Sequence, residues 1–171
     1  MPSRRQTPYH RLGVWMARYA PGLYFLRYIF TPLDRLMYRL RGGRHGIGPR
    51  TLPVMLLTTT GRKTGRPRST PVLYLQDGPR YVILGSNYGR RGHPGWSHNL
   101  MSTPTATLQI GGRTEKVIAR RTTAGEFERY WQRLLEIWPG WHTYARMTRR
   151  EFRMFVLEPP TMSPPTGERT D

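Results

Sequence analysis

From Leu52 onward the apolar positions fall in short β-type runs punctuated by turns, a pattern that predicts strands. The runs are Val54 to Thr60, Ser69 to Gln76, Arg80 to Leu84, Thr105 to Ile110, Arg113 to Arg121 and Phe152 to Leu157. Asp77-Gly78-Pro79 and Gly111-Gly112 leave room only for hairpins, so the runs they join are expected to be antiparallel. Two stretches depart from this pattern. Pro94 to Met101 predicts a short helix. Thr123 to Trp138 predicts a longer one, with Thr123 as cap, Glu126 three residues on, and Phe127, Tyr130, Trp131, Leu134 and Leu135 on one face. Hairpins, a late amphipathic helix and a final strand together predict a small α+β, mainly β, barrel, because closure removes exposed sheet edges.

Residues 1–48 follow another pattern: basic, aromatic and helical. Thr31-Pro32-Leu33-Asp34 supplies a cap, a proline at the first helical position and an acid three residues after the cap, so a helix is expected to run to about Arg41. No apolar run approaches the roughly 20 residues needed to span a bilayer. Arginines also interrupt every candidate signal-peptide core. Such a segment suits an anionic membrane surface, and it suits packing on its own domain or on a second copy equally well. Proline and threonine dominate 161–171, which reads as a disordered tail. The pattern thus divides the 171 residues into a basic amphipathic helical extension (1–48), one barrel domain (49–160) and a tail (161–171).

Charge narrows the possible ligands. The formal net charge is +18, so the field attracts polyanions, with nucleic acid, anionic lipid and an acidic cofactor all in play. Between Arg35 and Thr114 the only carboxylate side chain is Asp77, read here as a turn residue bonding its own backbone. That leaves no carboxylate pair for acid/base work in the central region and no oriented Ser-His-Asp set. The chain has no cysteine, which excludes disulfides and fits a reducing interior. None of its five histidines forms a metal-type helical pair, so no metal is expected. If the protein is an enzyme, its reactive chemistry belongs to a bound cofactor.

The densest chemical signal is Thr58 to Pro71, TTTGRKTGRPRSTP. Arg62, Lys63, Arg66 and Arg68 cluster around Gly61 and Gly65, where backbone amides can be exposed. Guanidinium forks and a concave set of amides are how a chain holds phosphate or carboxylate. Of 28 lysines and arginines only Lys63 and Lys116 are lysine, so an ammonium inside the glycine turn suggests one particular oxygen to be met. On turn chemistry alone, a solvated hairpin fits as well.

Taken together, LLTTTGRKTGRPRSTPVLYLQDGPRYVILGS, HPGWSHNL, PTATLQIGGR and the helix ending at WPGWHTY resemble the deazaflavin-dependent nitroreductase and quinone reductase family, in order and spacing, over Thr51 to Pro159. The resemblance implies a split β-barrel, FMN-binding-like, of antiparallel strands with peripheral helices and a helical N-terminal extension. It implies coenzyme F-420, a deazaflavin hydride carrier with a phosphodiester and an oligoglutamate tail. By resemblance, Arg62, Lys63, Thr64 and Arg68 hold phosphate and tail. Gly85, Ser86, Asn87 and Gly89 line the ring, with Pro71, Pro94, Trp96 and Asn99 completing the cofactor set. Many relatives carry lysine where this chain has Asn87, and Arg90 or Arg91 is placed to compensate. Trp138, Trp141 and Tyr144 fall where relatives have substrate-lining tyrosines, and core packing is the other reading for them and for Trp96. Ser86 and Tyr88 are the candidates for a hydrogen bond or proton at the acceptor.

The expected activity is hydride transfer from reduced coenzyme F-420 to an electron-poor acceptor: a quinone such as menaquinone, an activated enone or a nitroaromatic compound. Rival readings are an FMN-binding split barrel, a non-catalytic deazaflavin carrier and a basic nucleic-acid binder, the last without any recognised motif. A cytoplasmic protein, monomer or homodimer, is expected, with residues 1–46 able to touch the inner face of the membrane. Arginine in excess of lysine hints at a GC-rich, actinobacterial source.

Overall fold

The computed structural model describes residues 52–160. The expected extension, its helix from Thr31, and the tail lie outside the described residues. Six strands, β1 (Val54–Thr60), β2 (Pro67–Asp77), β3 (Arg80–Gly85), β4 (Thr105–Ile110), β5 (Arg113–Arg121) and β6 (Arg153–Glu158), close a barrel in the order β1-β2-β3-β6-β5-β4. Every neighbouring pair is antiparallel. Three α-helices join them: α1 (Gly95–Ser102), α2 (Ala124–Ile137) and α3 (Gly140–Arg146). This is the small barrel that the β-type runs and hairpin spacing predicted and the split β-barrel that the resemblance implied, with strand boundaries within two residues of expectation.

The barrel closes because β2 is long enough to change partners. Its first seven residues pair with β1, from Thr60↔Pro67 to Val54↔Leu73, and Tyr74 to Asp77 then pair with β3. In the hairpin that follows, Gly78 takes φ +60°, the conformation glycine adopts without steric cost ahead of Pro79.

Strands β3 and β6 are apolar on both faces, and the packing shows why. Ile83, Phe155 and Leu157 point into the barrel beside Met55, Leu57, Trp96, Leu108 and Val117. Val82, Leu84, Met154 and Val156 point outward beneath Tyr130 and Leu134 of α2 and the aromatic residues that follow it. Each fully buried side chain of this size contributes about 1.5–3 kcal/mol, so two cores share one pair of strands. Helix α2 begins with the anticipated capping box: Glu126 N–H donates to Thr123 Oγ1 (3.3 Å), and Thr123 N–H donates to Glu126 Oε2 (2.9 Å).

One expectation is corrected. Asp77 does not serve its own turn; its carboxylate accepts from Tyr130 Oη (2.7 Å) and Arg133 Nη1 (2.7 Å), clasping the β2–β3 hairpin to α2. The hairpin's local bond comes from Gln76 Nε2, which donates to the Gly78 carbonyl. A second clamp gathers Arg80, Arg120, Glu126 and Glu158 from four elements. Arg120 donates to both Glu126 oxygens (2.8 and 2.7 Å) and to Glu158 Oε1 (3.3 Å). Arg80 Nε lies 3.2 Å from Glu158 Oε1 as an ion contact that lacks hydrogen-bond alignment.

Candidate functional site

At the other end of β3 and β6 the charges are arranged differently. The β1–β2 turn is wound on itself: Gly61 N–H donates to the Arg66 carbonyl (2.9 Å), and the amides of Thr64 and Gly65 donate to the Gly61 carbonyl (3.1 and 2.7 Å). Gly65 sits at φ +65°, and a Cβ at Gly61 would lie 3.0 Å from the Arg66 carbonyl. Both glycines are therefore demanded by the winding. The turn is pinned from α1. Asn99, buried, accepts the Arg62 N–H on Oδ1 (3.1 Å) and donates through Nδ2 to Thr59 Oγ1 (2.9 Å). Arg62, Lys63, Arg66 and Arg68 are exposed. None of these four side chains forms an ion pair among the described residues. The Lys63 amide likewise has no partner among the described residues. Four unneutralised cations around a fixed turn suit a ligand with an anionic arm, which is the group the resemblance implied.

The segment after β3 forms the second wall. Asn87, Tyr88 and Gly89 have φ of 47°, 54° and 72°, three consecutive left-handed residues. That conformation is costly for tyrosine. Arg150 holds it. Its Nη2 donates to the Ser86 carbonyl (2.6 Å), its Nε to the Arg90 carbonyl (2.8 Å), and its Nη1 bonds His93 Nδ1 (3.1 Å). Gly89 also packs so closely on α3 that a Cβ would meet the Tyr144 carbonyl at 2.9 Å, and one at Gly85 would meet the Arg153 carbonyl at 3.1 Å. The small residues of this loop thus have internal reasons to be small.

Among the other candidates, Lys63 and Thr64 share the turn, Arg68 opens β2 opposite Thr59, and Pro71 lies on β2 opposite Leu56. Pro94 sits beside Gly85. Asn87 spends its amide on the Gly92 carbonyl (2.8 Å), so it shapes the loop. Arg90 and Arg91 are exposed beside it. Trp96 is barrel core, edge-on to Phe155 at 5.8 Å. Trp138, Trp141 and Tyr144 are buried together with Tyr130, Leu134 and Phe152. The Pro139-Gly140 break lets Trp138 fold back across Gly140, where any Cβ would strike its indole. Burial raises the Tyr144 hydroxyl above its ordinary pKa, and a bond with Trp138 offsets that in part. Tyr88 meets Tyr144 edge-on at 5.9 Å, so the aromatic cluster borders the loop that carries Ser86 and Tyr88.

Arg150 and Arg153 were not identified from sequence. Arg150 is one arginine among many, and nothing local marks it as the support of a loop some 60 residues earlier. Burial and the neighbouring Arg153 and Arg150 hold the His93 imidazole down at about 4, and burial with Arg153 and Arg62 lowers His98. Among the described residues, no group of three metal-ligating side chains converges.

A closed six-stranded barrel with a cationic turn, a strained loop and an aromatic cluster at one end defines a split-barrel protein of the flavin-binding type. A sequence profile of the F420H(2)-dependent quinone reductase family matches residues 33–159, beginning before Thr51, where the resemblance in the sequence starts. The chain is 34% identical over 147 residues to an F420H(2)-dependent quinone reductase of Mycobacterium tuberculosis, covering 84% of this chain and 95% of that one. A putative F420H(2)-dependent quinone reductase of the same organism is 29% identical over 108 residues, 63% of this chain and 91% of that one. A solved F420-H2 dependent reductase superposes with a TM-score of 0.58 at 31% identity, covering 62% of this chain and 94% of that one. A second solved structure, described as a domain-swapped dimer, gives 0.60 at 28%, covering 75% of this chain and 100% of that one. The chain belongs to the F420H(2)-dependent quinone reductase family. It is accordingly an oxidoreductase whose cofactor is coenzyme F-420 and whose acceptor is a quinone.

Proposed function

We propose that Arg62, Lys63, Thr64 and Arg68 hold the phosphate and anionic arm of coenzyme F-420, with the ring directed toward Gly85 to Gly89. The acceptor is a quinone of the menaquinone type lying against Tyr88 and the Trp138, Trp141 and Tyr144 cluster. The observation that carries this reading is the turn itself: four exposed cations without an acid partner among the described residues, on a backbone fixed by Asn99. Carboxylates there would repel the arm, which gives the acid-poor stretch from Arg35 to Thr114 a purpose.

When bound, the reduced coenzyme supplies the hydride. The protein orients ring and acceptor and excludes water. A quinone that takes one hydride and one proton becomes a hydroquinone, and negative charge grows on its oxygens in between. The Ser86 and Tyr88 hydroxyls are the groups of this chain assigned to that oxygen, as hydrogen-bond donors or a relay from water. Residues 1–46, basic and aromatic, bring the barrel (49–160) to the inner face of the membrane, where a lipid-soluble quinone resides. No helix among the described residues is long and apolar enough to cross a membrane. A homodimer is the proposed assembly, in line with the domain-swapped dimer among the solved neighbours.

The test is a binding titration of oxidised coenzyme F-420 against FMN, repeated with Lys63→Ala and Arg68→Ala. Tighter binding of the deazaflavin, lost in both variants, is expected; preference for FMN overturns the assignment. Steady oxidation of the reduced coenzyme by a menaquinone analogue separates an enzyme from a carrier. Equal flotation with liposomes with and without residues 1–46 removes the membrane role.

A further inference from the structure

The loop and α1 carry two imidazoles whose hydrogen-bonding state is fixed by their neighbours. His93 Nδ1 lies 3.1 Å from Arg150 Nη1, and His98 Nδ1 lies 3.4 Å from Arg153 Nη1. A guanidinium only donates, so both Nδ1 atoms present lone pairs and each neutral ring carries its proton on Nε2. Neither Nε2–H has a partner among the described residues. The rings stand edge to face, centroids 5.8 Å apart, and both are half-buried. The result is a pair of imidazole donors set beside two guanidinium groups, carried by α1 and the segment before it and by β6 and the segment before it. Arg62 bears on His98, so this surface continues the cationic turn. The charges that bear on these rings, Arg153 and Arg150 with Arg121 on His93, and Arg153 with Arg62 on His98, are all positive.

Unpaired N–H groups ringed by cations lack an acceptor, and an oxyanion is the acceptor that fits. Two hydrogen bonds of about 2.8 Å to the oxygens of one carboxylate span rings at this separation. We infer that His93 and His98, oriented by Arg150 and Arg153, form a second anion subsite that takes a carboxylate of the coenzyme's glutamate tail beyond the glycine turn. This rests on the functional reading above, since that reading brings the tail to the turn. A carboxylate seated there replaces repulsion with attraction, so occupancy draws a proton onto the imidazoles and raises their pKa values.

The experiment is histidine Cε1–H NMR of the full chain, with resonances assigned through His93→Gln and His98→Gln. Spectra are recorded across pH 4–8 with the full coenzyme, with the same coenzyme lacking its glutamates, and with inorganic phosphate. The expected result is that the full coenzyme raises both apparent pKa values by more than one unit while the glutamate-free form does not. The two glutamine variants should weaken only the full coenzyme, by about tenfold. If the full coenzyme binds and Lys63→Ala abolishes binding, yet neither imidazole responds, the subsite is overturned and the turn stands. If both coenzyme forms move the histidines equally, the group recognised is the phosphate, and the tail assignment falls. Should neither form bind, the functional reading fails; inorganic phosphate shifting His93 and His98 would then keep an oxyanion subsite, and no shift would reject it.

Discussion

Strands β3 and β6 each join two ends of the barrel that treat arginine in opposite ways. At one end Arg80, Arg120 and Arg133 meet Glu158, Glu126 and Asp77 at 2.7–3.3 Å. At the other, Arg62, Arg66, Arg68 and Lys63 meet no acid among the described residues, and Arg150 and Arg153 spend donors on carbonyls and imidazoles. The same β6 strand starts at Arg153 and finishes at Glu158. Arginine at the first end is structural, because its charge is matched within the fold. At the second no matching charge stands among the described residues, which is an opportunity for an anionic ligand.

The largest expected effect separates the two ends outright. Lys63→Ala with Arg68→Ala should weaken coenzyme binding by about a hundredfold, near 2.7 kcal/mol, while the melting temperature stays level or rises slightly as repulsion is relieved. A large loss of stability would show that the cations brace the fold. Arg150→Met should cost about 2 kcal/mol, because the Ser86 and Arg90 carbonyls lose their donor. Hydrogen exchange at Gly89 and Arg90 should quicken more than exchange in the barrel, and Arg150→Lys should restore only part of it. At the opposite end Glu158→Gln should lower stability by about 1.5 kcal/mol, a shift of several degrees by thermal melt, with coenzyme affinity unchanged.

The smallest effect distinguishes the ends by pH. Glu126 is held at about 2 by Arg120, below its ordinary 4.5. The stability it supplies is present above 4.5 and lost as pH falls through 2. His93, lowered from 6.5 to about 4 chiefly by burial, favours the neutral form in the fold, so acidification from 6.5 to 4 destabilises through it. Melting curves should therefore fall by a few degrees in two windows. His93→Gln should flatten the upper window and Glu126→Gln the lower.

Much of this comparison could be read along the chain, and the part that could not has a physical reason. Strand limits, the capping box at Thr123 and the cationic glycine turn are local: β-type runs, spacing and glycine placement determine them. Asp77 misled because a turn acid and a tertiary acid look the same until α2 supplies Tyr130 and Arg133, more than 50 residues later. Arg150 and Arg153 were invisible for the same reason, since the carbonyls and imidazoles that give them their role are distant in sequence and none is a charge. Trp96 as core and the Trp138 fold-back depended on which face of each element the barrel covers.

The left-handed run Asn87-Tyr88-Gly89 hangs from one guanidinium that belongs to a later part of the chain. That makes the loop a replaceable cassette. Outside Gly89, which α3 crowds, its side chains can drift, and with them the shape offered to an acceptor, while the barrel keeps its register, provided Arg150 still finds two carbonyls to hold. Diversification of acceptor choice among proteins built this way is therefore expected to concentrate at the exposed Arg90 to Gly92, where change is cheapest for the scaffold.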